Sequence, residues 1–201
     1  MSIPNKFRPV CGLAAVELAD ELVYGPDKFL DFTELLPVTG VEVVLSRFAA
    51  GTSIANVNIV YVFTLTMGGG SILITKYSLP SGNSSRNYIG FPWSSARWLG
   101  TGNRGERLPE TFSVTVENGL WTVTNPYGDV AAEQEPAPMA QTRLRVGRCV
   151  YSEPSPTPSW QIGIAGVTLA RDGVRYEFLP RADQTGVYCA ALKKNIRLST
   201  I

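Results

Sequence analysis

The chain has 201 residues and a formal net charge of +1, with 44% hydrophobic and only 17% charged residues. This composition fills a core readily and argues against a disordered chain, and we predict one domain over residues 1–201. The sequence contains no histidine. Ser-His-Asp and Cys-His catalysis are therefore excluded, and the most common metal ligand is missing.

The first part of the chain has a helical pattern. Leu18 and Leu22 are four residues apart, as on one face of a helix, and Asp27 follows Pro26 in the manner of a helix N-cap. We therefore predict short helices in an N-terminal segment, residues 1–39, that packs on the rest of the protein or between subunits.

From residue 40 to 201 the sequence predicts strands, because short β-branched and aromatic runs alternate with turn residues. Asn118-Gly119 and Asp172-Gly173 are two-residue type I′ hairpin turns. We expect an all-β, antiparallel, jelly-roll-like sandwich of about eight or nine strands, with long irregular segments near 80–110 and 125–139. The cross-strand pairs predicted from the two turns are Val116 with Trp121, Val114 with Val123, Leu169 with Tyr176, and Val167 with Phe178.

Cysteine use and the chain start indicate the compartment. Cys11, Cys149 and Cys189 are odd in number and widely spaced, so neither a disulfide framework nor a CxxC metal site is expected. The latter two lie in strand-like runs and are predicted to be buried as small hydrophobic residues. The start lacks a signal-peptide pattern and no apolar run is long enough to span a membrane, so we predict a soluble product made inside the cell.

The residue pattern gives no support for a cofactor or for a divalent cation at a subunit interface. Asp27, Asp31 and Glu34 offer the oxygen ligands that calcium prefers, but helix capping and surface charge explain them equally well. We therefore predict no cofactor.

The stretch QTRLRVGRCVY, residues 141–151, puts Leu144 and Val146 on one face of a strand and Arg143 and Arg145 on the other. Two interpretations stay open: a solvated edge strand, or a surface that contacts phosphate. Further basic residues lie near both ends of the chain. The candidate RNA-facing residues are Lys6, Arg8, Arg143, Arg145, Arg148, Lys193, Lys194 and Arg197.

The segment 80–110 combines aromatic residues with arginines. It fits a base-stacking surface, a subunit contact, or a loop folded onto the sandwich by its own tryptophans. Residues 43–105 contain no acidic residue, whereas residues 1–42 carry seven acidic and three basic residues, which suggests complementary patches between copies. The candidate residues of this subunit-interface loop are Arg86, Tyr88, Trp93, Arg97 and Trp98.

The chain size and the β texture of residues 40–200 resemble the coat proteins of small positive-sense single-stranded RNA viruses, in particular the barnaviruses, whose type is mushroom bacilliform virus. The resemblance implies a capsid protein of a mycovirus, made in the host cytoplasm and located in the virion. Many copies would assemble into a closed shell around single-stranded RNA, held by non-specific phosphate contacts and without a membrane. The sequence lacks the arginine-rich arm with which many such coat proteins begin.

Other functions remain open at this point. One is a carbohydrate- or ligand-binding jelly-roll module that uses Tyr88, Trp93 and Trp98 as a stacking platform, and another is a minor virion or attachment protein. We predict that the protein is not an enzyme. Glu133 and Glu135 would be the carboxylates of a glycosidase, but they lie in a proline-rich segment where solvated charge explains them.

Overall fold

The computed structural model describes residues 15–49, 58–78, 85–94, 97–104, 109–151 and 161–201. These residues hold fifteen β-strands and one single-turn 3-10 helix, Thr33–Leu35. The strands are β1 Leu22–Tyr24, β2 Lys28–Asp31, β3 Gly40–Ala49, β4 Asn58–Met67, β5 Gly70–Ser78, β6 Ser85–Gly90, β7 Arg97–Arg104, β8 Glu110–Glu117, β9 Leu120–Thr124, β10 Val130–Gln134, β11 Gln141–Tyr151, β12 Gln161–Arg171, β13 Val174–Pro180, β14 Gly186–Cys189 and β15 Lys194–Thr200.

The strands form an antiparallel sandwich of two layers. The six-strand layer has the order β10-β9-β8-β3-β12-β13, and β1 pairs with β12 beside it. The seven-strand layer has the order β15-β2-β11-β4-β5-β6-β7. Strand β14 pairs with both β13 and β15 and so joins the layers along one side.

The core fills the space between the two layers. Phe32, which follows β2, meets Phe178 of β13 edge to face, with ring centroids 5.1 Å apart. Trp121, Phe63 and Phe112 are fully buried with them. The prediction of an all-β antiparallel sandwich is confirmed at this level.

Both predicted hairpins are confirmed to the residue. β8 and β9 pair Val116 with Trp121 and Val114 with Val123. β12 and β13 pair Leu169 with Tyr176 and Val167 with Phe178. The turn residues have the positive φ angles that a type I′ turn needs, 50° at Asn118, 75° at Gly119, 50° at Asp172 and 74° at Gly173.

The strand count of eight or nine was too low. The segment 80–110 contains the hairpin of β6 and β7, and the segment 125–139 contains β10. These runs are rich in glycine, serine and arginine or in alanine and glutamate, so hydrophobic alternation did not reveal them.

The predicted N-terminal helices are not confirmed. Within residues 15–39 the chain forms β1, β2 and the single 3-10 turn, while residues 1–14 lie outside the described part. The buried pair is Leu22 and Tyr24, two apart as in a strand, and not Leu18 and Leu22. Asp27 does not cap a helix: it has a φ of 64° and lies in the turn between β1 and β2.

The two described cysteines are buried, as predicted. Cys149 and Cys189 are both buried, and neither is in a disulfide, while Cys11 lies outside the described residues. Within the described ranges, no helix is long and apolar enough to cross a membrane.

Candidate functional site

The two layers differ strongly in charge. The strands of the seven-strand layer carry a single acidic residue, Asp31, and ten basic residues. The strands of the six-strand layer carry five acidic and three basic residues. An excess of one sign over one side of a protein attracts partners of the opposite charge. The basic residues of the seven-strand layer are Lys28, Lys76, Arg86, Arg97, Arg104, Arg143, Arg145, Arg148, Lys194 and Arg197. Lys76 is fully buried and does not add to the charge of the outer face.

Three of these arginines lie on the outer face of β11. The residues that alternate with them are buried against the six-strand layer. Gly147 is one extra residue in this pattern, between Val146 and Arg148. Gly147 has a φ of 72°, and this conformation shifts the alternation by one position. The buried residues are Leu144, Val146 and Cys149, and the outer residues are Arg143, Arg145 and Arg148.

The neighbouring strand β4 changes its alternation at the same level. Arg148 pairs with Tyr61 and Val146 with Phe63, so Gly147 stands opposite Val62. The register between β4 and β5 shifts between Tyr61 and Phe63. This double irregularity places Tyr61 on the outer face beside Arg148.

Arg145 is partly held in place by β2. Its guanidinium carbon lies 4.4 Å from the centre of the Phe29 ring, a cation–π contact, and its Nε lies 3.9 Å from Asp31 Oδ2. Asp31 already accepts hydrogen bonds from the backbone N–H and the hydroxyl of Thr33. Arg145 Nε is buried but makes no hydrogen bond among the described residues.

Arg148 likewise has an unsatisfied polar group. Its Nε is also buried without a hydrogen-bond acceptor in the described part of the chain. No ion pair joins Arg148 to a described acidic residue. A buried guanidinium N–H without an acceptor is costly, so its retention favours a role in binding.

A polar row runs from Arg148 across the sheet. Tyr61 pairs with Thr75, and Thr75 pairs with Tyr88. Thr75 is 2% exposed, and its hydroxyl makes no hydrogen bond among the described residues. Arg148, Tyr61, Thr75 and Tyr88 thus form one line of hydrogen-bonding and stacking groups, which we call the outer row.

The C-terminal basic cluster is split by the structure. Arg197 is exposed on β15, one residue before Leu198, which pairs with Leu30 of β2, so it lies near the level of Asp31. Lys194 Nζ is 3.1 Å from Glu34 Oε2, and Lys193 is exposed in the turn before β15. Arg197 therefore joins the arginines of β11 more closely than the two lysines do, and Lys6 and Arg8 lie outside the described residues.

The residues of the predicted subunit-interface loop have different surroundings. Trp93 packs against the core, 5.7 Å from Phe91 between ring centres, as expected for a segment held down by its own tryptophan. Tyr88 lies in the outer row, with Trp98 next to it in register on β7. The side chains of Arg86, Arg97 and Trp98 lie outside the described part.

The two glutamates considered as glycosidase carboxylates, Glu133 and Glu135, have different surroundings. Glu135 accepts a 2.8 Å hydrogen bond from Trp121 Nε1, and so it is not simply solvated charge in a loop. Glu133 is part of β10. Among the described residues, no group of three or more histidine, cysteine, aspartate or glutamate side chains is placed to hold a metal ion.

Sequence reasoning missed a second polar feature, which lies inside the sandwich. Lys76 of β5 and Glu110 of β8 form an ion pair between the layers, with side-chain exposures of 0% and 1%. The sequence signal was slight: a single lysine ends the apolar run SILITK. A separate pocket of about 220 Å³ lies beside β12 and β13, and its lining includes Leu35, Leu169 and Phe178.

No family model matches the chain, and no curated protein matches it. Solved structures do. An apo Crh5 transglycosylase is 12% identical with a TM-score of 0.47, covering 88% of this chain and 83% of that one. A scytalido-glutamic peptidase with a peptide-based transition state analog is 10% identical with a TM-score of 0.45, covering 92% of this chain and 100% of that one.

These matches correct one prediction. We predicted that the protein is not an enzyme, and this is contradicted because the matching structures are a transglycosylase and a peptidase. At this level of identity the likeness concerns the fold and assigns no activity to this chain.

Proposed function

We propose that the protein binds an anionic polymer on the outer face of its seven-strand layer. The observation that carries this proposal is Arg148, whose buried Nε has no acceptor among the described residues. It stands in line with Arg143 and Arg145 on a layer whose strands contain one acidic residue. A bound anion would supply the missing acceptor.

Single-stranded RNA is the polymer that fits this face best. Arginine guanidinium groups bind phosphate through charge-assisted hydrogen bonds, and Tyr61 and Tyr88 offer rings on which bases can stack. Phosphate contacts position a nucleic acid but read no sequence. We therefore propose binding without sequence preference.

The wider proposal is that the chain is the coat protein of a small RNA virus, with many copies forming a closed shell in the virion. The charge difference between the layers supports it, because one side of each subunit would suit RNA and the other would not. The test is size-exclusion chromatography of the recombinant chain with absorbance at 260 and 280 nm, then negative-stain microscopy. Regular particles with excess absorbance at 260 nm are expected, and a nucleic-acid-free monomer across salt and pH would contradict the shell.

A carbohydrate-binding module is the second candidate, and one observation favours it. In the outer row, Tyr61 and Tyr88 lie on either side of Thr75, and two aromatic rings on one face can also stack on sugar rings. This candidate predicts saturable binding of neutral glycans that is insensitive to salt. RNA binding predicts the opposite response to salt.

The direct experiment is fluorescence anisotropy of a labelled single-stranded RNA with nucleic-acid-free protein over a range of salt concentrations. Replacing Arg143, Arg145 and Arg148 together by Ser should weaken binding. The plot of log affinity against log salt should also become shallower, by roughly 0.7 for each phosphate that the variant no longer neutralises. The matched control replaces Arg47, Arg171 and Arg175 of the six-strand layer by Ser, which removes the same charge.

The two triple variants separate a local site from bulk charge. If both lose affinity equally, binding follows net charge alone and the proposed face is wrong. If neither loses affinity, the protein does not bind RNA through β11. Circular dichroism on both variants establishes that each is folded.

A further inference from the structure

Three polar residues on neighbouring or facing strands are buried in the interior. Lys76 on β5, Asn87 on β6 and Glu110 on β8 are 0%, 1% and 1% exposed. Lys76 Nζ donates to Glu110 Oε2 across the space between the layers. The amine and the carboxylate are therefore paired at a place that bulk solvent does not reach.

Asn87 lies directly beside Lys76. The two are register partners in the β5–β6 pair, so their Cβ atoms are about 5 Å apart and on the same face. Asn87 Oδ1 is buried and makes no hydrogen bond among the described residues. Lys76 therefore lies between the carboxylate that it contacts in the other layer and the carboxamide on the neighbouring strand.

We propose that Lys76 and Asn87 form an intramolecular amide bond, with Glu110 moving the protons. Glu110 takes a proton from the Lys76 ammonium, and the neutral Nζ attacks Cγ of Asn87. The new Nζ–Cγ bond forms, the Cγ–Nδ2 bond breaks, and the leaving nitrogen receives its proton from Nζ by way of Glu110. The products are a secondary amide, one molecule of ammonia and a protonated Glu110, so atoms and charge balance without an oxidant or co-reactant.

Three features of the fold favour this reaction. The sheet register holds the amine and the carboxamide side by side, which replaces a collision by an intramolecular step. Burial removes the hydration shell that makes an amine less nucleophilic. It also excludes water, which would compete with the amine as a nucleophile. Glu110 contacts the attacking nitrogen directly.

Intact-mass spectrometry of the denatured full chain tests the proposal. The wild type is expected to be lighter than its sequence mass by one ammonia molecule. The variants Lys76→Met, Asn87→Ala and Glu110→Gln are each expected at their own sequence mass. Glu110→Gln is the most informative, because it keeps both reacting groups and removes only the proton carrier.

Peptide mapping identifies the bond, since Asn118-Gly119 is a sequence at which an asparagine can also lose ammonia by closing on its own backbone. Trypsin should not cleave after a modified Lys76. The expected product is residues 48–86 joined to residues 87–97. A wild-type mass equal to the sequence mass, or an ammonia loss that maps to Asn118 and persists in Glu110→Gln, would overturn the proposal.

Discussion

The hydroxyl of Tyr24 donates a 2.7 Å hydrogen bond to the carbonyl oxygen of Gly147, across the space between the two layers. This carbonyl is available because Gly147 has a φ of 72° and turns its peptide toward the interior. Burial, followed by the electrostatic effect of Cys149, raises the pKa of Tyr24 far above its usual value, so the hydroxyl stays a donor at all ordinary pH values. The bond holds the point at which β11 changes its alternation, and with it the position of Arg148.

Replacing Gly147 by Ala should therefore be strongly destabilising. A Cβ there would lie 1.9 Å from Tyr24 Oη, and the positive φ adds strain. We expect a loss of about 2–4 kcal/mol in the free energy of unfolding, measured by urea denaturation. Gly173→Ala is a matched control, because it also has a positive φ but a Cβ there would meet no atom within 4 Å. Equal losses in the two variants would show that backbone strain alone, and not the contact with Tyr24, sets the cost.

Tyr24→Phe removes the hydrogen bond and leaves a buried carbonyl oxygen without a donor. We expect a loss of about 1–3 kcal/mol, measured in the same way. The double variant with Gly147→Ala should cost less than the sum of the two single variants, because the hydroxyl that meets the new Cβ is gone. Strict additivity would contradict a direct contact between the two residues.

The ion pair of Lys76 and Glu110 should respond asymmetrically to mutation, and the test uses an Asn87→Ala background, where no amide bond can form and Lys76 keeps its charge. Glu110→Leu leaves a buried amine without its carboxylate, and we expect a loss of about 3–5 kcal/mol. The double variant Lys76→Met/Glu110→Leu replaces both charges by apolar groups and should recover most of this loss. Thermal and urea unfolding of the single and double variants measure this. A double variant no more stable than Glu110→Leu would show that the pair matters for more than charge neutralisation.

The turn between β13 and β14 should contribute stability that depends on pH. Asp183 accepts hydrogen bonds from Arg181, and from the backbone N–H and hydroxyl of Thr185. The bonds to Arg181 and then Thr185 hold the pKa of Asp183 well below its usual range. A carboxylate with a lowered pKa stabilises the fold above its unfolded pKa of about 4 and loses this contribution as the pH falls further.

Asp183→Asn tests this turn. We expect a loss of about 1 kcal/mol at pH 7, because the carboxylate is half exposed and solvent screens it. The difference from wild type should shrink as the pH is lowered below about 4, measured by urea unfolding at each pH. Asp172→Asn is the control. Asp172 is 90% exposed, and its 3.7 Å ion pair with Arg171 Nε is open to solvent, so the change in the free energy of unfolding should be near zero. A pH-independent difference at Asp183 would mean that its charge does not matter.

Local turn chemistry made part of the fold predictable. Asn118-Gly119 and Asp172-Gly173 each fix a register by the two-residue turn alone, and the pairs that follow are those observed. The N-terminal segment was mispredicted because a spacing of four between Leu18 and Leu22 also occurs by chance in a strand. Its strands form only by pairing with β11, β12 and β15, which lie more than 100 residues away in sequence.

Part of the candidate site could also be predicted from local sequence pattern. Alternation alone put Arg143 and Arg145 on one face of a strand, opposite Leu144 and Val146. Arg148 was among the candidate residues, but alternation alone does not give its face, which depends on the conformation of Gly147 and on its hydrogen bond with Tyr24 in the other layer. Likewise, the meeting of Lys76 and Glu110 depends on how two layers pack, for which a sequence separation of 34 residues gives no pattern.

Arg148 should reduce stability in the unbound protein and increase affinity for an anionic ligand. Its buried Nε has no acceptor among the described residues, so Arg148→Met should leave the unbound protein as stable as wild type or more stable, by about 1 kcal/mol. The same variant should gain less thermal stability than wild type when single-stranded RNA is added, because binding to the folded state is weaker. Arg175→Met is the control, since its side chain is 65% exposed in the other layer and should change neither quantity much. A marked loss of stability in unbound Arg148→Met would assign this arginine a structural role, whereas higher stability with weaker RNA binding would mark it as a residue kept for its ligand.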